Sequence, residues 1–391
     1  MKARRGPKAK TTKAARRRAP RSAALTFGDL KLDCRHFRGD VPCKPHKEHG
    51  VHCVEAGGGD CRYYDPVSKR ILIIKLGAIG DVIRTTPLLR KLREAEPRAE
   101  IWWLTLTPEV VPPEADRILG FTPQNLSVLG ATSFDILLNL DKDREACALS
   151  STIAAAVKKG FTLRDGKCVP IDGAAEPKYL TGVFDDLSKA NTKSYQEEIF
   201  EISGYRFSGE EYIMPEADDT VWKLPGTWKI VGLNTGCGGR WTSRLWPERC
   251  WVELARKIRT AGYTPLLLGG EQEHRKNIRL ARLSGAVYLG HFPLRKFMSE
   301  VNRCELVVTA VTMAMHLAIG FRKKIVLFNN IFNKHEFELY GRGEILEPDF
   351  ECSCFYSPVC PNNCMQYLSV QTVFDACMRL LKKSPTGRHQ Q

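Results

Sequence analysis

Long apolar runs are missing from this 391-residue chain. Stretches such as Ile71–Ile74 and Leu266–Leu268 fall far short of the ~20 apolar residues that a membrane-spanning helix needs. An integral membrane protein is therefore not expected. Acid is missing from the first 22 residues, which hold ten Lys and Arg (Lys2, Arg4, Arg5, Lys8, Lys10, Lys13, Arg16, Arg17, Arg18 and Arg21). The whole chain has 59 Lys and Arg against 44 Asp and Glu, a formal +15, yet the 369 residues after this arm carry only +5. No apolar segment follows the arm, so it does not read as a secretory signal. No aromatic residue interleaves its charges before Phe27, which argues against a nucleic-acid groove. Two readings of the arm stay open. One is a soluble disordered tail. The other is peripheral contact with an anionic membrane surface, where each basic residue contributes about 1 kcal/mol.

What is present is an ordinary globular composition, 43% hydrophobic and 26% charged, which excludes collagen-like and wholly disordered classes. The length suits two or three domains. Of the 14 cysteines, four lie between Cys34 and Cys61 and four between Cys352 and Cys364. The other six are scattered, as expected of thiols serving as small core residues in a reducing compartment. A cytoplasmic protein is predicted. Around Cys34, Cys43, Cys53 and Cys61 the chain is rich in Gly, Pro and His and has no helical or alternating period. Such a segment buries little apolar surface, and a zinc ion held by thiolates and imidazoles would order it. Free thiols on an irregular extension are the other reading. The tighter Cys352, Cys354, Cys360, Cys364 group is either a metal site or an exposed thiol cluster.

From Arg70 a strand–helix alternation begins. Ile71–Ile74 reads as a strand buried on both faces, 82–96 as a helix, 100–106 and 134–140 as strands, and 145–160 as a helix. Helical character returns at 195–202. A second run follows, with strands at 229–233, 264–268, 287–289, 305–308 and 324–328. Helices are expected between them at 247–261, 273–283, 294–302 and 313–319, and a last one at 370–381. This pattern predicts right-handed crossovers and two open parallel sheets, with a ligand cleft between their strand ends.

Four turns could carry chemistry. Leu76-Gly77-Ala-Ile-Gly80-Asp81 ends in a carboxylate, so it repels a close phosphate. Asp81 is either an N-cap or first-turn residue that complements the helix dipole, or it accepts a proton from a substrate hydroxyl. The stretch Asn234-Thr235-Gly236-Cys-Gly238-Gly239-Arg240-Trp-Thr242-Ser243-Arg244 has no acid, several glycines and two guanidinium groups. That chemistry suits a diphosphate cradle, and the Gly-Lys-Ser/Thr ending of a P-loop is absent. A solvated surface loop is the plainer reading. Thr312 and His316 share a helical face beside Met and Leu, so His316 is either a ligand or a core histidine. Glu271 and Glu273, on an acidic turn after a strand, could accept hydrogen bonds from ribose hydroxyls.

These turns, in this order, resemble those of glycosyltransferase family 9, the ADP-heptose:lipopolysaccharide heptosyltransferases of bacteria, over residues 70–380. The stretch from Arg70 through Asp81 to Leu92 is similar to the family's N-terminal signature. The stretch ending Arg244-Leu-Trp246-Pro247 and the Thr312…His316 turn resemble its donor-site motifs. The resemblance implies a GT-B fold, two Rossmann-like doubly wound domains facing a cleft, here with a Cys/His-rich N-terminal extension. The expected divisions are a basic arm at 1–30, the extension at 31–68, an acceptor domain at 69–225 and a nucleotide-sugar donor domain at 226–385. It also implies inverting transfer without a catalytic metal, from a nucleotide-sugar such as ADP-heptose to a lipid-linked or lipopolysaccharide-core glycan. Asp81 would be the base, on an acceptor-side turn with Gly77, Gly80 and Arg84. Asn234, Thr235, Gly236, Arg240, Arg244, Glu271, Glu273, Thr312 and His316 would face the donor. Zinc or an iron–sulfur group would be structural, at the cysteines. Val311 and Met313 depart from the family's Asp-Thr-Gly pattern. That departure leaves open a nucleotide-sugar-binding protein without transfer activity, and the basic arm with the Cys/His segment leaves open a nucleic-acid-associated module.

Overall fold

The apolar run at the start of the α/β pattern forms β1 (Lys69–Ile74), with Ile71 to Ile74 fully buried, at the centre of a six-stranded sheet. Its companions are β2 (Ala99–Thr105), β3 (Arg117–Gly120), β4 (Phe134–Asn139), β5 (Ala155–Arg164) and β6 (Lys167–Pro170). The order is β3-β2-β1-β4-β5-β6, parallel except for the β5–β6 hairpin. Register pairs Ile71 with Ile101 on one side and Ile136 on the other. The second sheet contains β7 (Ile230–Asn234), β8 (Thr264–Leu268), β9 (Leu306–Ala310), β10 (Lys324–Phe328) and β11 (Gly343–Leu346). Its order is β11-β10-β9-β7-β8, parallel throughout. The last helix, Val370–Lys382, covers a core that includes Val326 and Phe328. The strand order reverses between β1 and β4 and between β7 and β9. Crevices open at such switch points beyond the carboxyl ends of the strands.

This computed structural model describes residues 25–55, 58–224 and 229–383. The basic arm at 1–22 lies outside the described residues. The chain divides into two compact units, 1–67 and 68–391, with both sheets in the second. In the first unit a short helix (Lys44–His49) and ion pairs Arg35–Asp65 at 2.8 Å and Lys31–Asp60 at 2.7 Å organise the Cys/His segment. Cys34, Cys43, Cys53 and Cys61 all line one cavity of about 260 Å³, together with His46 and His52. Among the described residues no helix is long and apolar enough to cross a membrane.

Three local expectations differ from the structure. The helix expected over 82–96 is two helices, Ile79–Thr85 and Pro87–Ala95, because Pro87 lacks an N–H and so starts a new helix instead of continuing one. The helix expected to reach Gly160 stops at Thr152, and the alanines after it pair with β4 as β5, with Ala155 opposite Phe134. Pairing with a neighbouring strand overrides the weak helical preference of Ala-Ala. The strand expected at 287–289 is a single bridge from Val287 to Leu266.

One buried group sets a pH dependence for stability. Glu300, on the helix Leu294–Asn302, is 1% exposed, and neither carboxylate oxygen has a hydrogen-bond partner. Burial pushes its pKa up to about 8 from 4.5. The folded state thus holds a proton that the unfolded chain releases above its own pKa. Stability contributed by this proton is lost as pH rises from 4.5 towards 8. Glu300→Gln removes that loss. The variant is expected to gain on wild type by about 3 kcal/mol between pH 4 and pH 7 in urea unfolding.

Candidate active site

The residue after β1 fixes the first turn. Lys75 Nζ pairs with Asp141 Oδ1 at 2.9 Å, both buried, and the Gly77 N–H donates to Asp141 Oδ2 at 2.6 Å. Asp141 follows β4, so this ion pair ties the turn across the first switch point. The helix Ile79–Thr85 then starts with Ala78 at its N-cap and no side-chain cap. Asp81 is not the cap. Its carboxylate pairs with Arg84 at 2.8 Å, and a third of its side-chain surface faces the cleft. Burial disfavours the charge, but Arg84 foremost, with Lys75 behind it, outweighs burial and holds the pKa down at about 2. Arg84 in turn lies 3.6 Å from Glu336 and 3.6 Å over the Tyr195 ring.

The second lobe supplies a basic wall. At the end of β7, Asn234 Nδ2 donates to Thr309 Oγ1 at 2.9 Å, Gly236 O at 3.1 Å and Thr312 Oγ1 at 3.2 Å, so the two switch-point turns are bonded to each other. Thr312 is the N-cap residue of the helix Met313–Gly320, makes no side-chain cap bond, and lines the cleft together with Met313 and Ala314 of the first turn. The Glu273 carboxylate accepts from the Gly270 N–H at 3.0 Å and presses so close to Gly236 that a Cβ there would collide with it. Arg244 is 8% exposed. Its guanidinium donates to the Val311 and Cys237 carbonyls and sits 5.6 Å from the Phe332 ring centre. Among the described residues it has no carboxylate partner, and burial lowers its pKa. Val311, where the resembling family has an acid, offers only its main-chain oxygen.

The two lobes meet at His316. Its ring lies against Gly80, where any Cβ would clash with it, so the glycine permits contact between the helices Ile79–Thr85 and Met313–Gly320. Tyr212 stacks beside the ring, with its hydroxyl 3.4 Å from Nδ1. Burial, reinforced by Arg84, pushes the imidazole down to about 3, so it stays neutral.

The cleft measures about 930 Å³, within the range of small-molecule binding sites. Gly80, Asp81 and Arg84 line it from the first lobe. Asn234, Gly236, Arg244, Glu271, Glu273, Thr312 and His316 line it from the second. Three other expected residues are placed away from its wall. Gly77 is bonded to Asp141, the Thr235 hydroxyl donates to Asn277 Oδ1 at 2.6 Å, and Arg240 is exposed over Trp241. Sequence reading missed Lys75, Asp141, Tyr195 and Glu336. Lys75 stands directly before the turn and could have been noticed. The other three come from distant segments and carry no local signal. Among the described residues, the cysteines whose sulfurs come together as a metal would require are Cys352, Cys354, Cys360 and Cys364, all within 4.8 Å of one another.

Residues 223–338 match the family model described as glycosyltransferase family 9 (heptosyltransferase). No curated protein matches the chain. Among solved structures, the glycosyl transferase family 9 protein of Veillonella parvula is 19% identical with a TM-score of 0.63, covering 81% of this chain and 98% of its own. E. coli heptosyltransferase WaaC with ADP-2-deoxy-2-fluoro heptose is 16% identical with a TM-score of 0.55, covering 79% and 99%. E. coli ADP-heptose lps heptosyltransferase II is 16% identical with a TM-score of 0.57, covering 80% and 98%. The match and the shared GT-B fold bear out the resemblance to family 9 and the reading of the chain as a glycosyltransferase.

Proposed function

We propose that this glycosyltransferase moves a sugar, heptose from ADP-heptose, to a hydroxyl of a lipid-linked or lipopolysaccharide-core glycan, with inversion at the anomeric carbon. The observation that carries the reading is Arg244. A buried guanidinium that lines the cleft, has no carboxylate partner among the described residues and is flanked by glycine backbone and a helix start is stabilised when an anion arrives. The missing acid at Val311 strengthens this point, because the positive charge is left for the ligand. That argues against the alternative of a frame that has lost its donor. WaaC in complex with an ADP-heptose analogue supports the choice of donor.

On this reading Asp81, fully ionised at neutral pH, accepts the proton of the acceptor hydroxyl as its oxygen bonds to the anomeric carbon. The bond from that carbon to the diphosphate oxygen breaks, and its electron pair leaves with ADP. Arg244 and the main-chain N–H groups around Gly236 and Thr312 stabilise the charge that grows on the leaving group. No step draws on a metal. The basic arm supports docking at an anionic membrane surface where a lipid-linked acceptor resides. The direct test is transfer from ADP-heptose to a heptose-deficient core acceptor. Absence of product with every nucleotide sugar would end the proposal.

The Arg84–Asp81 pair also sets the pH profile. Removing the cation by Arg84→Met leaves burial to raise the carboxyl, by about 1–3 units or more. Wild-type kcat/KM should show no Asp81 limb above pH 4, because its carboxyl is held near 2. In the variant, activity should fall as pH drops through about 3–5. A profile unchanged by the substitution would mean that another group is the base.

A further inference from the structure

The sulfurs of Cys352 and Cys360 are 3.5 Å apart, and those of Cys354 and Cys364 are 3.7 Å apart. Four thiolates around a single ion at about 2.3 Å stand about 3.8 Å from one another, so these spacings are those of one tetrahedral centre. A multi-iron cluster would force some pairs much further apart than the 4.8 Å that bounds this group. The three inner cysteines are at most 4% exposed. N–H groups aim at the sulfurs: Asn330 Nδ2 to Cys364 at 3.3 Å, the Cys364 N–H to Cys360 at 3.5 Å and Asn362 Nδ2 to Cys352 at 3.7 Å. Donors of this kind stabilise thiolates and orient metal ligands.

The loop between these cysteines is also the shelf of the Arg244 turn. The Ser243 N–H donates to Pro358 O at 3.0 Å, Ser243 Oγ to Ser357 O at 2.7 Å and Thr242 Oγ1 to Pro358 O at 3.3 Å. Asn330 bridges the two directly, because the Nδ2 group that reaches Cys364 also donates to Ser243 O at 2.8 Å. Tyr356, midway along the loop, packs edge-on against Trp241.

We propose that Cys352, Cys354, Cys360 and Cys364 bind one zinc or iron ion as four thiolates, and that this ion fixes the loop on which Arg244 is aimed. Binding takes up one ion and releases the four thiol protons. The second half rests on the reading of Arg244 as the diphosphate ligand. The full chain, purified without chelator, should carry one equivalent of zinc or iron that survives Cys43→Ser/Cys53→Ser and is lost in Cys360→Ser/Cys364→Ser. After chelation, the Cys43→Ser/Cys53→Ser protein refilled with cobalt(II) should show the absorption of a tetrahedral four-thiolate site. This arm keeps the ligand set intact and does not depend on whether the cysteine variant folds. Chelation should also weaken ADP binding by on the order of tenfold, as should Ser243→Ala with its ion retained. No bound ion together with no cobalt spectrum would overturn the site. An ion whose removal leaves ADP affinity unchanged would overturn the bracing role. An ion present in a protein that binds no nucleotide would sink the proposed function while leaving the metal site standing.

Discussion

Asp81→Asn should lower turnover by about 10²–10⁴ while ADP still stabilises the variant as it does wild type. The amide keeps the size of the side chain and cannot take a proton. Arg84 keeps a partner in Glu336, 3.6 Å away, and its stack on Tyr195, so the wall of the cleft is not expected to collapse. The loss should appear in kcat, because the base acts on the acceptor and the donor is held from the other lobe. A merely structural Asp81 would give a different pattern: a lowered melting temperature with turnover close to wild type. Transfer within about threefold of wild type would dismiss the base assignment outright.

Much of the frame was legible because buried parallel strands announce themselves. Ile71–Ile74 and Leu266–Leu268 have no polar interruption, and both proved to be core strands at or beside a switch point. The turns after β1, β7 and β9 were legible for a related reason. Each places glycine, hydroxyl or charged residues between a strand and a helix, and all three contribute residues to the lining of the cleft. What the sequence hid is what distant segments do to one another. Nothing in Leu76–Asp81 tells that Gly80 exists to admit the ring of His316, 236 positions later. Thr235 reads like a phosphate ligand by residue type, yet its hydroxyl, just past the end of β7, donates to Asn277 instead. β5 was misread because its first residues are alanines, which favour helix until a neighbouring strand offers hydrogen bonds. The four late cysteines were visible as a motif. Their service to Arg244 was not, because it runs through main-chain carbonyls that any residue could supply.

Arg244→Leu should cost the protein most of its affinity for ADP. A ligand that binds only the folded state raises stability by RT ln(1 + [L]/Kd), about 2.7 kcal/mol at a hundredfold excess. Hydrogen bonds to a charged group contribute about 1.5–3 kcal/mol each, so losing the guanidinium should weaken ADP binding by about 10–150-fold and cut the stabilisation to between about half and a tenth of the wild-type value. Arg244→Lys should fall between, since it keeps a charge but loses the planar fork that grips two oxygens at once. The apo protein gives a second reading of the same event. Arg244 is desolvated without a counter-ion, so removing it relieves a buried charge while orphaning the carbonyls of Val311 and Cys237. These effects oppose one another, and the variant's stability without ligand should stay near that of wild type. A variant that is stable and blind to ADP therefore assigns the loss to the ligand and not to the fold. Full ADP stabilisation in Arg244→Leu would move the diphosphate elsewhere. Lys276 would then be the next candidate, because it is half-buried, with its Nζ 2.9 Å from the Thr235 carbonyl on the same turn.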